Sequence, residues 1–171
     1  MTDHYFHLAI QFAKLSGFSP IITTASLRNT DLLKSLGATH VIDRNTPASS
    51  FASEIATITT KPITLVFDSI AAEETQQLGY DTLAEGGHIV IVLQPSFKET
   101  PGSTKKVVRV LGNVQVPENK EIGRVLAQHL PALLEAGDII VCTLLLCVAY
   151  DGESLTRIAI SRTQSRSYLV D

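Results

Sequence analysis

The chain has 171 residues and a mass of 18.5 kDa, with 44% hydrophobic and 18% charged residues. That length is sufficient for about one domain, and the composition excludes intrinsic disorder. The 14 Lys and Arg residues against 17 Asp and Glu residues give a net charge of −3. This balance, with no basic stripe, argues against a nucleic acid as partner.

The cysteines and the apolar runs exclude further classes of protein. Cys142 and Cys147 cannot form the disulfide framework of a small secreted domain, and they lack His or Cys partners at zinc spacing. The first residues do not have the basic and apolar segments of a signal peptide. The longest apolar run, residues 139–150, is too short to cross a bilayer. We therefore expect a soluble, cytoplasmic domain with no membrane partner.

Helical and strand patterns alternate along the chain. Apolar residues at helical spacing predict helices over residues 4–16, 31–36, 49–58, 73–83, 119–135 and 153–160. Gly17, Gly37 and Gly137 supply helix ends. Short apolar, β-branched runs predict strands over residues 20–25, 40–43, 63–67, 88–93, 106–111, 139–148 and 167–170. Of these, residues 63–67 and 88–93 are expected to be buried on both faces. The alternation predicts an α/β fold, a Rossmann-type parallel sheet with helices on both faces.

Several segments together carry a more specific pattern. They are residues 9–17 (AIQFAKLSG), 22–26 (ITTAS), 33–43 (LKSLGATHVID), 66–70 (VFDSI), 74–76 (ETQ), 83–87 (LAEGG) and 107–118 (VVRVLGNVQVPE). In this order, they resemble the cofactor domain of the medium-chain dehydrogenases/reductases. The last segment is similar to the zinc-independent fungal branch that contains the trans-acting enoyl reductases of polyketide synthesis. The resemblance covers about residues 8–137 and resumes weakly at residues 154–170.

The chain also departs from that family. The resemblance implies an N-terminal catalytic domain, a first strand and a glycine loop, none of which the sequence provides. Tyr5 and Phe6 stand where the loop would end in Val-Gly. We expect a single, incomplete domain over residues 1–171, in which residues 138–171 partly correspond to the tail that returns to the catalytic domain. Either another segment, such as residues 139–148, fills the place of the missing strand, or the fold is compromised.

Polar residues at the ends of the first strands are candidates for an adenosine site. By the resemblance, Ser26, Arg28 and Asn29 meet the adenosine ribose, and Arg44 contacts the 2′-phosphate or stacks on adenine. Residues 22–29 contain no Asp or Glu that would select NAD, and a guanidinium suits a phosphate. The cofactor implied is thus NADP(H). The alternatives are a surface turn in which Asn29 or Thr30 caps the next helix, and a solvated Arg44.

Three further pairs follow the later strands: Ser69 and Ile70, Leu93 and Gln94, and Gly112 and Asn113. Ligands bind at the carboxyl edge of open α/β sheets, and the resemblance implies that these pairs border the ribose and nicotinamide. The alternative is ordinary turn chemistry, and Asp68 would then cap the next helix. The five histidines lack partners at metal-ligand spacing, so we expect no metal. No catalytic residue is identified.

The resemblance implies an NADP(H)-dependent oxidoreductase that reduces an enoyl or quinone-like acceptor. Without the substrate half of the cleft, activity of this chain alone is in doubt. One alternative is a non-catalytic protein-interaction module, with a homodimer through the late apolar strands at residues 139–148. Another is a truncated relic that does not bind nucleotide. The dinucleotide is the expected small-molecule partner under the first hypothesis only.

Overall fold

The computed structural model describes the backbone of residues 3–140, 146–150 and 155–159, and the side chains of residues 6–140. Contacts divide the chain into two compact units, Met1–Lys120 and Glu121–Asp171. The expectation of a single domain therefore remains a prediction. No helix in the described part of the chain is both long and apolar enough to cross a membrane.

Helices and short strands alternate through the first unit. The helices are α1 (Asp3–Leu15), α2 (Thr30–Leu36), α3 (Ala48–Ile58), α4 (Glu73–Thr82) and α5 (Pro117–Ala136), which extends into the second unit. The strands are β1 (Ile22–Ala25), β2 (His40–Asp43), β3 (Leu65–Asp68), β4 (His88–Ile91), β5 (Lys106–Arg109), β6 (Leu146–Tyr150) and β7 (Leu155–Ala159). A single 3₁₀ turn, Leu27–Asn29, precedes α2.

The strands of the first unit form two separate parallel sheets. β1 pairs with β2, so that Ile22 lies opposite His40 and Ala25 lies opposite Asp43. β3, β4 and β5 form a second sheet in that order, also parallel. Both sheets place the carboxyl ends of neighbouring strands at one edge. The expected α/β fold with parallel strands is confirmed.

In the described part of the chain, the outer edges of β1 and β3 pair with no further strand. His40 N–H donates to Ile21 O, and His88 N–H donates to Thr64 O, which fixes the alternation of backbone groups along β1 and β3. The groups of Ile22 and Thr24 therefore point away from β2, and those of Leu65 and Phe67 point away from β4. No ladder joins the two sheets within the residues that the structure describes.

The expectation that residues 63–67 are buried on both faces is wrong. The side chains of Leu65 and Phe67 are 42% and 38% exposed. An apolar run indicates a strand but cannot indicate whether both flanks are covered, and in the described part of the chain β3 has a neighbour on one side only. β4 meets the expectation better, because Ile89 and Ile91 are fully buried.

The main core of the second sheet lies between α4 and β4. Tyr80, Leu83, Ile89 and Ile91 form one buried cluster, against which Val66, Phe97 and Val107 pack. Burial of each large apolar side chain contributes on the order of 2 kcal/mol. Gly79 permits this contact, because a Cβ there would lie 3.0 Å from Cγ1 of Val66. This packing fixes α4 against the sheet whose carboxyl edge carries most of the candidate residues.

One element assignment in the second unit is wrong. Residues 155–159 form β7, a strand antiparallel to β6, and not part of a helix over 153–160. All five residues pair with β6, and cross-strand pairing overrides the weak helical preference of so short a segment. Of the strand expected at 139–148, residues 141–145 lie outside the described residues, as does the strand expected at 167–170.

Candidate functional site

The carboxyl end of the β1–β2 sheet carries the first group of candidates. Ser26 follows β1, Arg28 lies in the 3₁₀ turn and Arg44 follows β2. The backbone N–H of Arg44 donates to Ala25 O at 3.0 Å, so the two strand ends stay in register. The structure thus brings Arg28 and Arg44 to one end of the sheet, and both side chains are exposed.

The turn before α2 does not use the expected cap. Asn29 occupies the N-cap position, but its side chain makes no capping hydrogen bond. The Thr30 hydroxyl instead donates to Leu27 O at 2.6 Å, a bond that closes the 3₁₀ turn. The expectation that Asn29 caps the helix is thus confirmed for its position but not for a side-chain bond, and Thr30 is not the N-cap.

The carboxyl end of the β3–β4–β5 sheet carries the second group. Ser69 and Ile70 follow β3, Leu93 and Gln94 follow β4, and Gly112 and Asn113 follow β5. The register places Asp68 opposite Ile91 and Ile91 opposite Arg109, so these segments leave the sheet side by side.

This edge has an exposed apolar rim, which consists of Ile70, Leu93 and Leu111. Their side chains are 57%, 62% and 55% exposed. Three large aliphatic side chains at the ends of adjacent strands form a surface suited to the face of a flat, partly apolar ring or to another protein.

Asp68 holds the loop that contains Ser69 and Ile70. Its buried carboxylate accepts the backbone N–H groups of Ile70 at 2.8 Å and Ala71 at 3.1 Å through Oδ1. Oδ2 accepts the Thr75 hydroxyl at 2.8 Å. The N-cap of α4 is Ala72. The alternative in which Asp68 caps the helix is therefore wrong in detail, because Asp68 stabilises the turn before it.

Two other polar side chains hold the neighbouring loops. Glu85 accepts the Thr104 N–H at 2.6 Å and the hydroxyls of Ser103 and Thr104. The Thr104 N–H, more than the two hydroxyls, lowers the pKa of the Glu85 carboxyl below its ordinary value. At the end of β5, the Asn119 amide donates to Leu111 O at 2.6 Å and Asn113 O at 3.0 Å.

Gln76 is the residue that sequence reasoning missed. It is 0% exposed, and its amide binds the segment that follows Leu93. The available signal was its spacing, because Gln76, Tyr80 and Leu83 stand at i, i+4 and i+7 on one face of α4. A glutamine in an otherwise apolar stripe indicates a buried polar partner.

Phe6 does not stand in a loop. It lies in the first turn of α1, half-buried, with its ring centroid 6.0 Å from that of His7. A groove of about 500 Å³ runs beside β2 and is lined by residues that include Leu27, Lys34, His40, Asp43 and Glu54. None of the candidate residues lines it. Within the described residues, no group of three or more His, Cys, Asp and Glu side chains could hold a metal ion.

Residues 7–115 match the family model described as zinc-binding dehydrogenase. The chain belongs to this family. The match covers more than half of the chain and confirms the expected kinship with the cofactor domain of the medium-chain dehydrogenases/reductases.

Among the relatives of this chain is the trans-enoyl reductase ACTTS2 of Alternaria alternata. The two are 35% identical over 125 residues, which cover 73% of this chain and 34% of the relative. The chain thus spans about a third of the length of that curated relative.

Solved structures agree on the fold. The nucleotide-binding subdomain of the enoylreductase domain of PpsC from Mycobacterium tuberculosis has a TM-score of 0.60 and 25% identity, covering 80% of this chain and 79% of that one. The mycobacterial protein Rv1454c, solved in complex with NADPH, has a TM-score of 0.66 at 20% identity, covering 80% and 44%. The Rossmann-type fold expected for this chain is confirmed.

Proposed function

We propose that this chain supplies the NADP(H)-binding part of a zinc-independent, medium-chain oxidoreductase that reduces an enoyl or quinone-like acceptor. The placement of Arg28 and Arg44 at one end of the β1–β2 sheet is the observation that carries the proposal. Two exposed guanidinium groups there, without an acidic residue in 22–29, suit the 2′-phosphate that distinguishes NADP from NAD.

The proposed contacts divide into two groups. Ser26, Arg28, Asn29 and Arg44 would bind the adenosine half. The nicotinamide half would lie against Ser69, Ile70, Leu93, Gln94, Gly112 and Asn113, where the apolar rim would cover one face of the ring. When bound, the nicotinamide supplies a hydride, and the part of this chain is to bind and orient the ring and to exclude water from it.

A calorimetric titration of the full chain tests the proposal, with NADPH, NADH and 2′,5′-ADP as ligands. We expect NADPH to bind more tightly than NADH, and Arg28→Ala to weaken NADPH and 2′,5′-ADP by about tenfold, which corresponds to the loss of a charge-assisted hydrogen bond of roughly 1.4 kcal/mol. The affinity for NADH should change little in this variant, because NADH lacks the 2′-phosphate.

Arg124→Ala is the matched control for that titration. Arg124 lies on α5, outside the candidate group, and pairs with Glu121 at 2.7 Å. Its removal should leave all three affinities unchanged. A folded wild-type chain that binds none of the ligands would contradict the proposal.

The apolar rim favours a second candidate function, the binding of another protein without catalysis. Exposed aliphatic side chains of this kind serve a protein partner as well as a nicotinamide ring. A homodimer through residues 139–148 belongs to the same alternative, and Ile140 at its start is exposed. Sedimentation velocity of the folded chain, with and without NADPH, separates the two: a nucleotide-independent dimer favours the second.

A further inference from the structure

Gln76 uses both ends of its amide on a single loop. Its Oε1 accepts the backbone N–H of Ser96 at 2.8 Å and the Ser96 hydroxyl at 3.1 Å. Its Nε2 donates to Gln94 O at 3.3 Å. The side chain is fully buried on α4, so these bonds replace bonds to water that the loop would otherwise make. The side chain of Gln76 alone thus binds the backbone that follows Leu93 at two points.

The neighbours of Gln76 extend this arrangement along α4. One position earlier, the Thr75 hydroxyl donates to Asp68, which holds the loop of Ser69 and Ile70. Further along, Gln77 Oε1 accepts the Lys98 N–H at 3.0 Å, and the Tyr80 hydroxyl accepts the Thr100 N–H at 3.2 Å. One helix, α4, therefore holds both loops of the β3–β4 edge in fixed positions relative to each other.

The chemistry of an amide is needed at this position. An apolar side chain of equal size would leave Gln94 O and the Ser96 N–H without their partner. A carboxylate would retain the bonds from Ser96 but could not donate to Gln94 O. Glutamine alone among side chains of this length satisfies an acceptor and two donors at once.

We propose that Gln76 is the positioning residue for the nicotinamide half of the dinucleotide site, acting through the backbone of Leu93 and Gln94. The inference rests on the proposed function. Leu93 lies two residues beyond Ile91, as Ile70 lies two residues beyond its partner Asp68, so a shift of the Gln76-bound loop changes the rim on which the ring would lie. Within the described residues, Gln76 forms no hydrogen bond to the adenosine group at the β1–β2 sheet, so the geometry of that group does not depend on it.

A positioning role and a purely structural role differ in what they do to the two halves of the ligand. A general loss of structure lowers the affinity for every ligand. A shift of the loop alone lowers the affinity for NADPH but not for 2′,5′-ADP, which has the adenosine half with its phosphate and no nicotinamide. The fluorescence of bound NADPH adds a readout of the nicotinamide environment alone.

The experiment uses the full chain with Gln76→Met and, as control, Glu74→Met at an exposed position of the same helix. We expect Gln76→Met to weaken the binding of NADPH by about fivefold or more, to move the emission of bound NADPH towards that of free NADPH, and to leave the affinity for 2′,5′-ADP within about twofold. Glu74→Met should change neither affinity. Gln76→Glu, which retains the bonds from Ser96, provides the test if the methionine variant does not fold.

Two outcomes would overturn the inference. One is an unchanged NADPH affinity and emission in a folded Gln76 variant, and the other is an equal decrease in the affinities for NADPH and 2′,5′-ADP. In either case the wild-type chain still binds NADPH and 2′,5′-ADP, so the proposed function stands. A wild-type chain that binds neither ligand removes the proposed function and the role of Gln76 with it.

Discussion

The carboxylate of Glu85, at the turn before β4, accepts the backbone N–H of Thr104 at 2.6 Å from the turn before β5. The bond joins two connections that are 19 residues apart in the chain, and two hydroxyls reinforce it. It fixes the start of β5 beside the start of β4, and because it requires the ionised carboxylate, its contribution to stability is lost in acid.

The first prediction concerns that sensitivity. Because the folded-state pKa of Glu85 lies below its ordinary value of about 4.3, its contribution to stability is complete above that value and is lost as pH falls through the folded-state pKa. We expect Glu85→Gln to flatten the acid side of the stability profile below about pH 4.3. Urea midpoints measured against pH check this, and Glu54→Gln on α3 is the control that should retain the wild-type slope.

The second prediction concerns the backbone after β3. Ala71 has a φ of +61°, a left-handed conformation that costs an L-residue about 1–2 kcal/mol. Glycine removes that cost but adds about 0.5–1 kcal/mol of entropy, so we expect Ala71→Gly to stabilise the fold by roughly 0.5–1 kcal/mol. Ala52, an exposed residue inside α3, is the control. Ala52→Gly should destabilise the fold by about 0.5–1 kcal/mol, and equal effects of the two substitutions in urea denaturation would contradict the explanation.

The third prediction separates the two contributions of Tyr80. Its hydroxyl accepts the Thr100 N–H, while its ring is buried against Phe97 with centroids 4.9 Å apart and lies under Lys105 Nζ at 4.7 Å. Tyr80→Phe should cost about 0.5–1.5 kcal/mol of unfolding free energy. Tyr80→Ala should cost about 3–5 kcal/mol, because a cavity remains. Similar costs for both would show that the hydroxyl, and not the ring, dominates.

The fourth prediction concerns Asp68. Both carboxylate oxygens of Asp68 accept hydrogen bonds, whereas an asparagine side chain has a single acceptor oxygen. Asp68→Asn therefore loses either the bonds from the N–H groups of the turn or the bond from the Thr75 hydroxyl. Because bonds to a charged group contribute about 1.5–3 kcal/mol, we expect a loss of that order in chemical denaturation. Asp31→Asn, on the exposed side of α2, should cost less than about 1 kcal/mol.

Local signals explain which elements the sequence predicts well. The strand at His40–Asp43 is found at its predicted bounds, and α2 ends before Gly37 as expected, because β-branching and glycine act within a few residues. Long-range contacts explain the errors. β7 is a strand because it pairs with β6. Phe67 is exposed because β3 has a neighbouring strand on one side only in the described part of the chain. The residues next to each segment in the sequence encode neither fact.

The candidate site also has one part that local sequence signals predict and one part that depends on long-range contacts. Its location at the carboxyl edges follows from strand alternation, which the sequence carries. The side chains that hold its loops, Gln76, Glu85 and Asn119, act on segments 6 to 20 residues away. Single-residue preferences do not carry that information, although the place of Gln76 in an apolar stripe hinted at it.

The two parallel sheets of the first unit, which no ladder joins in the described residues, have a consequence for how the chain opens. Each sheet closes on contacts that are near in sequence, β1 with β2 through α2 and β3 with β4 through α4. Cooperative units of native-state opening tend to follow such contiguous motifs. Amide hydrogen exchange should therefore resolve two levels of protection, one for the β1–β2 sheet and one for the β3–β4–β5 sheet. A ligand that binds to both carboxyl edges should bring the two sheets to the same level of protection.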